Sequence, residues 1–155
     1  MDTLFIGNHW IKLDEISSTN DWLMSRILNQ QFLEGTVVVA SSQTNGKGQR
    51  GNKWFSQPYK SLTFSVLLKP SFLSPIHAFD LSICVALALY DSLNKLRKGF
   101  KIKWPNDLLF KKKKICGILQ ETIKKKVFLR SFFKYLVNTV FYCNICCFYI
   151  CKISN

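Results

Sequence analysis

The chain has 155 residues, enough for one domain with a buried core, and 22 Lys and Arg against nine Asp and Glu give it a formal charge of +13. That excess is not gathered into a basic stripe interleaved with aromatics on one element, so charge alone does not define a nucleic-acid binder. Met1 to Ile11 is short, mixed in polarity and carries Asp2, which does not read as a secretory leader, and Cys84 and Cys116 in apolar surroundings read as reduced thiols of a cytoplasmic protein.

In chain order, Ile11 to Ile16 reads as a short strand. Ser17-Ser18-Thr19-Asn20 follows as a helix N-cap signal, and Asp21 to Leu28 continues at helical spacing. Thr36–Ser42 and Ser61–Leu68 are β-branched and aromatic-rich strands. Ile76 to Leu96 predicts a long helix whose core face is Phe79, Ile83, Ala86, Leu87, Tyr90, Leu93 and Leu96, ended by Gly99. Phe100–Trp104 and Ile115–Gln120 are strands again, with Pro105-Asn106-Asp107 as the turn between them. Helices and strands mix without strict alternation, which predicts an α+β fold with a mixed, largely antiparallel sheet packed against helices.

Gln43-Thr44-Asn45-Gly46-Lys47-Gly48-Gln49-Arg50-Gly51-Asn52-Lys53-Trp54 follows an apolar strand directly. Its glycines let backbone approach a ligand closely, and Lys47, Arg50 and Lys53 add charge beside exposed N–H groups, the equipment of an anion-holding loop. Gly46, Gly48 and Gly51 match the dinucleotide fingerprint in spacing, but no helix starts within them and no acid lies between Glu34 and Asp80. A phosphate loop fails for want of a Gly-Lys-Ser/Thr triplet, and a kinase loop for want of a His-Arg-Asp segment. On spacing alone, a flexible basic hairpin accounts for the stretch equally well.

Lys101-Ile102-Lys103-Trp104-Pro105-Asn106-Asp107 is a turn by composition, yet its Trp and lysines make a surface able to stack a base and hold a phosphate. Asp107 is a candidate ligand for phosphate-bound Mg²⁺. Lys111 to Lys114 read as a solvated hairpin end, with Lys114 set apart because it abuts a strand and Gly117.

Residues 122–155 hold six of the 22 basic residues, none of the nine acidic ones, four of the six cysteines and eight of the 22 aromatics, without one Gly or Pro. This shift reads as an aberrant basic and aromatic tail rather than a domain, since it lacks the turn-formers a domain needs. Its apolar stretch is near the lower length limit of a membrane span but is interrupted by Asn138 and Asn144, so membrane contact is not expected. Cys143-x-x-Cys146-Cys147 is half a zinc site with no second pair and no His beside it.

Four segments, Ser18-Thr19-Asn20, Gln43 to Trp54, Lys103 to Asp107 and Lys114-Ile115-Cys116-Gly117-Ile118-Leu119, fall in the order and rough spacing of one family. The chain resembles, over about residues 10–121, the biotin protein ligases (biotin–[acetyl-CoA-carboxylase] ligases), whose catalytic domain is shared with lipoate ligases. The resemblance implies a catalytic domain of the class II aminoacyl-tRNA-synthetase-like type, truncated and so incomplete. It also implies two reactions: ATP and biotin give biotinyl-5′-AMP, and the biotinyl group then passes to a lysine of the biotin carboxyl carrier protein domain of acetyl-CoA carboxylase.

Carried over by motif, Ser18, Thr19 and Gln43 would bind the biotin ureido ring, helped by the backbone at Gly46 and Lys47. Lys47, Gly48 and Arg50 would belong to the loop over the adenylate. Lys114 would reach the biotin carboxylate and a phosphate oxygen, Gly117 would leave room for the ligand, and Asn106 and Asp107 would serve the nucleotide and Mg²⁺. Lys114, Arg50 and Asp107 are the implied catalytic residues. Gln49 and Asn52 stand where many members carry Arg. The glycine-free tail departs from the glycine- and asparagine-rich strand and small β-domain that continue the family, and about ten residues before the first strand leave no room for a DNA-binding helix-turn-helix. No specific DNA binding is therefore expected. The alternatives are a lipoate–protein ligase and a non-catalytic biotin-binding remnant.

Overall fold

The computed structural model describes residues 5–70, 73–123 and 126–133. The cysteine cluster at 143–147 and the apolar stretch of the tail lie outside the described residues. The first half contains β1 (Trp10–Ile16), α1 (Thr19–Arg26), β2 (Val37–Gln43), the short β3 (Gly46–Lys47) and β4 (Lys53–Trp54), and β5 (Leu62–Leu68). Then come α2 (Ala78–Leu96), β6 (Phe100–Lys103), β7 (Asp107–Phe110), β8 (Lys113–Ile123) and β9 (Lys126–Phe133).

Seven of these strands form one sheet in the order β1-β2-β5-β9-β8-β7-β6. Only β1 and β2 are parallel; every other neighbouring pair is antiparallel. The expected mixed, largely antiparallel α+β sheet is therefore present. The apolar run Val37-Val38-Val39 is buried on both faces of β2, as suits a strand covered on both sides. Val37 and Val39 join Phe64, Val66 and Leu68 of β5 and the buried residues of α2 in the larger core cluster. Val38 and Leu67 point the other way and pack with Leu23 and Ile27 of the α1 side. One helix thus covers each face.

Two expectations are corrected. The buried residues of α2 are Leu81, Ser82, Val85, Ala86, Ala88, Leu89, Ser92 and Leu93, whereas Phe79, Leu87 and Leu96 are exposed. The helix is apolar most of the way round, so the stripe through Leu81, Val85, Leu89 and Leu93 competes at the same 3.6-residue period, and packing chooses it. Second, Asp107 opens a strand. The turn is Trp104-Pro105-Asn106, with a cis Trp104-Pro105 bond, and β7 runs back along β6 from Lys103↔Asp107 to Phe100↔Phe110. Asn106 clamps this turn to β8, its backbone oxygen accepting from Ile118 N at 2.8 Å and its Nδ2 donating to Ile118 O at 3.1 Å.

The sheet runs on past residue 121. Lys126–Phe133 fills the place between β5 and β8, pairing from Leu68↔Val127 to Leu62↔Phe133 on one side and from Ile123↔Lys126 to Cys116↔Phe133 on the other. Val127, Phe128, Leu129, Phe132 and Phe133 give this segment the β-branched and aromatic composition of a strand, a signal masked by the unusual composition around it.

Candidate active site

The candidate site is built from the C-terminal ends of β1 and β2 outward. Ser18 caps α1, its Oγ accepting from Asp21 N at 3.3 Å and so satisfying one of the helix's open donors. The backbone of Thr19 donates to Gln43 Oε1 at 2.9 Å and its hydroxyl does so at 3.1 Å. Thr19 Oγ1 also lies 2.8 Å from Ser65 Oγ, so the Ser65 hydroxyl is left to donate. These three side chains are buried, and a buried polar network of this kind persists only when its members satisfy one another. Thr44 N and Asn45 N continue the parallel ladder onto Ile16 O and Ser17 O at 3.0 and 2.9 Å. That ties the start of the glycine-rich segment to the cap of α1.

The glycine-rich segment is a two-stranded ribbon, Gly46 opposite Trp54 and Lys47 opposite Lys53. It turns at Arg50 and Gly51, both at positive φ (54° and 77°), with Asn52 N bonded to Gln49 O at 3.1 Å. A Cβ at Gly46 would stand 2.5 Å from Trp54 O and 3.2 Å from Gln43 Nε2, so only glycine lets the ribbon close beside Gln43. Lys47 reaches back to α1, its Nζ 2.9 Å from Asp21 Oδ2. Arg50 stands exposed at the tip of the ribbon, with no ion pair among the described residues.

Trp54 joins this ribbon to the second half of the site. Its ring lies against Gly117, where an added Cβ would be 3.0 Å from Cζ3 and 3.2 Å from Lys114 Cε. The Lys114 ammonium sits 5.0 Å from the Trp54 ring centroid and 2.7 Å from Asp107 Oδ1. Asp107 is opposite Gly117 in the β7–β8 ladder, which places carboxylate, ammonium and indole on one patch. Trp104 is exposed beside it in chain order and meets Phe79 edge-on, at 5.8 Å between centroids.

The structure thus gathers Ser18, Thr19, Gln43, Gly46 and Lys47 through Trp54 to Lys114, Gly117 and Asp107, with Asn106 bracing the strand that carries Asp107. Gly48 serves the ribbon, its N donating to Asn52 O at 2.6 Å. Asp21, Ser65 and Glu121, which hydrogen-bonds Asn20 Nδ2, also take part and were not expected. Ser65 leaves a trace in the sequence, a polar residue inside an apolar strand; the partnerships of Asp21 and Glu121 span loops that no local pattern encodes. Among the described residues no group of three or more His, Cys, Asp or Glu is placed to hold a metal, and no helix is long and apolar enough to cross a membrane.

This fold is shared with solved biotin protein ligases. The chain superposes on the biotin protein ligase from Aquifex aeolicus in complex with biotin and ATP with a TM-score of 0.72 and 31% identity, covering 85% of this chain and 55% of that one. Residues 13–132 match the model of the biotin/lipoate A/B protein ligase family, and the chain belongs to that family. It is 34% identical over 134 residues to the bifunctional ligase/repressor BirA of Bacillus spizizenii, covering 84% of this chain and 40% of that protein. It is 32% identical over 131 residues to the biotin–[acetyl-CoA-carboxylase] ligase of Mycobacterium tuberculosis, covering 79% and 49%. The chain therefore spans less than half the length of these two relatives.

Proposed function

We propose that the protein is a biotin–protein ligase: it activates biotin with ATP to biotinyl-5′-AMP and transfers the biotinyl group to a lysine of a biotin carboxyl carrier domain. The observation that carries this reading is the Lys114–Asp107 pair, 2.7 Å long, set under Trp54 within the same site as the Thr19–Gln43 network. In the first step a biotin carboxylate oxygen bonds to the α-phosphorus of ATP and pyrophosphate leaves. Both reactants are anions, and at 4 Å and an effective dielectric near 20 each opposed charge pair is worth about 4 kcal/mol before desolvation. Lys114 supplies the cation between them, with Asp107 fixing the ammonium's position before substrate arrives. In the second step the carrier lysine's amine attacks the acyl carbonyl, the acyl–phosphate bond breaks and AMP leaves. No covalent enzyme intermediate is needed, so placement and charge carry the rate.

Thr19 and Gln43, with Ser18 behind them, form the polar wall for the ureido ring. Lys47, Gly48 and Arg50 belong to the ribbon that closes over the adenylate, and in closing Lys47 exchanges Asp21 for a ligand anion. The donor set fits Mg²⁺ only when nucleotide phosphates complete it, because among the described residues no group of three metal-holding side chains is present, Asp107 is the carboxylate paired with Lys114, and a phosphate-bound Mg²⁺ typically takes one or two carboxylates. In that arrangement Mg²⁺ would neutralise phosphate charge. The reduced thiols of Cys84 and Cys116 support a cytoplasmic location. The repressor half of the BirA relatives' name is not carried over to this chain.

The test is formation of biotinyl-adenylate by the purified chain from α-labelled ATP, followed by label transfer from biotin to a carrier domain. Absence of adenylate at saturating biotin and ATP ends the enzymatic reading. If excess lipoate displaces biotin and is itself transferred, the protein is a lipoate ligase instead.

A further inference from the structure

At the far end of β7 from Asp107, about 10 Å away along the strand, the surface folds into a recess of about 350 Å³. Arg97 and Lys98 come to it from the end of α2, Lys101 from the edge strand β6, and Lys111 and Lys112 from the β7–β8 turn, while no carboxylate lines it. None of these five cations makes a salt bridge among the described residues. Phe110 is the apolar side of the recess, with the Arg97 guanidinium 4.8 Å and the Lys111 ammonium 5.8 Å from its ring centroid. Gly99 lies beside that ring at a φ of 109° that favours glycine.

Three of the five cations have ordinary reasons to be where they are. Arg97 and Lys98 complement the negative end of the α2 dipole, and Lys101 guards an open sheet edge. Lys111 has the Phe110 ring as its neighbour, and Lys112 has none of these. Phe110 pairs with Lys113, so these two lysines are the whole turn, and both are at positive φ, 48° and 65°. A two-residue turn of this kind favours Asn-Gly, and a side chain held in the left-handed region costs on the order of 1–3 kcal/mol. Two lysines at strained backbone positions thus share the recess with three other cations. A rule broken locally without compensation inside the fold marks a candidate functional position, and a bound anion would relieve the repulsion here.

We propose that this recess is a second anion site, separate from the ligase site, that binds a polyphosphate chain, either inorganic or the tail of a nucleoside triphosphate. The five basic residues border a mostly apolar recess of small-ligand size instead of forming the extended stripe that nucleic acid requires. Five positive charges without a carboxylate match a ligand bearing several negative charges better than a monophosphate or a lone carboxylate.

The experiment is titration calorimetry of the full chain with inorganic tripolyphosphate at low salt, repeated with K111N/K112G and with K114Q. The double variant installs the Asn-Gly pair the turn prefers, so it removes two charges and is expected to melt no lower than wild type. One tripolyphosphate should bind per chain, with affinity at least about tenfold weaker in K111N/K112G and unchanged in K114Q. ATP titrated into K114Q and into K114Q carrying K111N/K112G separates the sources: only binding that the added pair weakens belongs to the recess, and for that part affinity equal to tripolyphosphate assigns the site to the phosphate chain alone, while tighter binding adds the nucleoside. Should K111N/K112G melt below wild type, K98Q/K101Q replaces it with the same expected loss. The proposal is overturned by absence of binding, by wild-type affinity in these variants, or by loss in K114Q alone. Retention of an oligonucleotide with a steep salt slope where tripolyphosphate does not bind overturns it as well.

Discussion

Lys114 is held by two unlike neighbours, a carboxylate at 2.7 Å and an indole ring 5.0 Å away, and each fixes a different coordinate of the ammonium. Replacing it by Gln keeps the stem and removes the charge. We expect K114Q to lower adenylate formation on the order of 10²–10³-fold while changing stability by less than about 1 kcal/mol, because the pair is partly exposed. Single-turnover formation of labelled adenylate and a urea melt read the two quantities separately. Gly117 tests the same patch sterically. G117A puts a methyl 3.0 Å from the Trp54 ring, and overpacking of this kind costs about 1–3 kcal/mol. It should also shift the tryptophan emission; unchanged emission and stability would show that the ring does not lie on Gly117. At this scale the sequence was legible wherever a motif packs charge and glycine together, as at Lys114 and Gly117. It was silent on Asp21 and Glu121, whose roles depend on contacts 26 and 101 residues away in the chain, with Lys47 and Asn20 respectively.

The ribbon from Gly46 to Trp54 is fastened at its base, at one point along its side and at Trp54, whose ring lies against Gly117. The base is the ladder onto Ile16 and Ser17; the side point is Lys47 with Asp21. That ion pair is solvent-exposed, so D21N should alter global stability by no more than about 0.5 kcal/mol. It should nonetheless free the ribbon, and trypsin should cut after Arg50 faster in D21N than in wild type, with biotin and ATP together slowing the cut in both. Equal cleavage rates would mean that the pair does not restrain the ribbon. The other informative element is α2. Its chain position and length were readable, but its buried face was not, because apolar residues occupy too much of its circumference for periodicity to rank the stripes. L89A, in the core, should cost about 2–5 kcal/mol, whereas L87A, on the exposed side, should stay within about 0.5 kcal/mol. Denaturant melts of the two variants would reverse in order if the face expected from the sequence were the buried one.

For the whole molecule, the four segments that suggested the family meet because the ribbon after β2 carries Trp54 to Gly117 and Lys114 of β8, and the sheet that holds both depends on a strand in the least promising stretch of the sequence. Composition made residues 122–155 look unlike anything upstream; pairing partners, which composition does not reveal, put 126–133 in the fourth place of seven. A chain ending at Glu121 should therefore lose cooperative melting, while one ending at Phe133 should keep it, as followed by near-ultraviolet circular dichroism. A sharp transition for the shorter chain would make β9 an accessory.

The position of β9 also sets an order of events. It is the last of the described strands to leave the ribosome, yet it stands between β1-β2-β5 on one side and β8-β7-β6 on the other. Until it arrives, each half-sheet presents a bare edge of unpaired amides and carbonyls, the template on which strands of other chains add. Elongation runs at about 5–20 residues per second, so the interval is short for each molecule but recurs with every one made. The yield of folded protein should then depend on chain concentration during synthesis more than on the stability of the finished sheet.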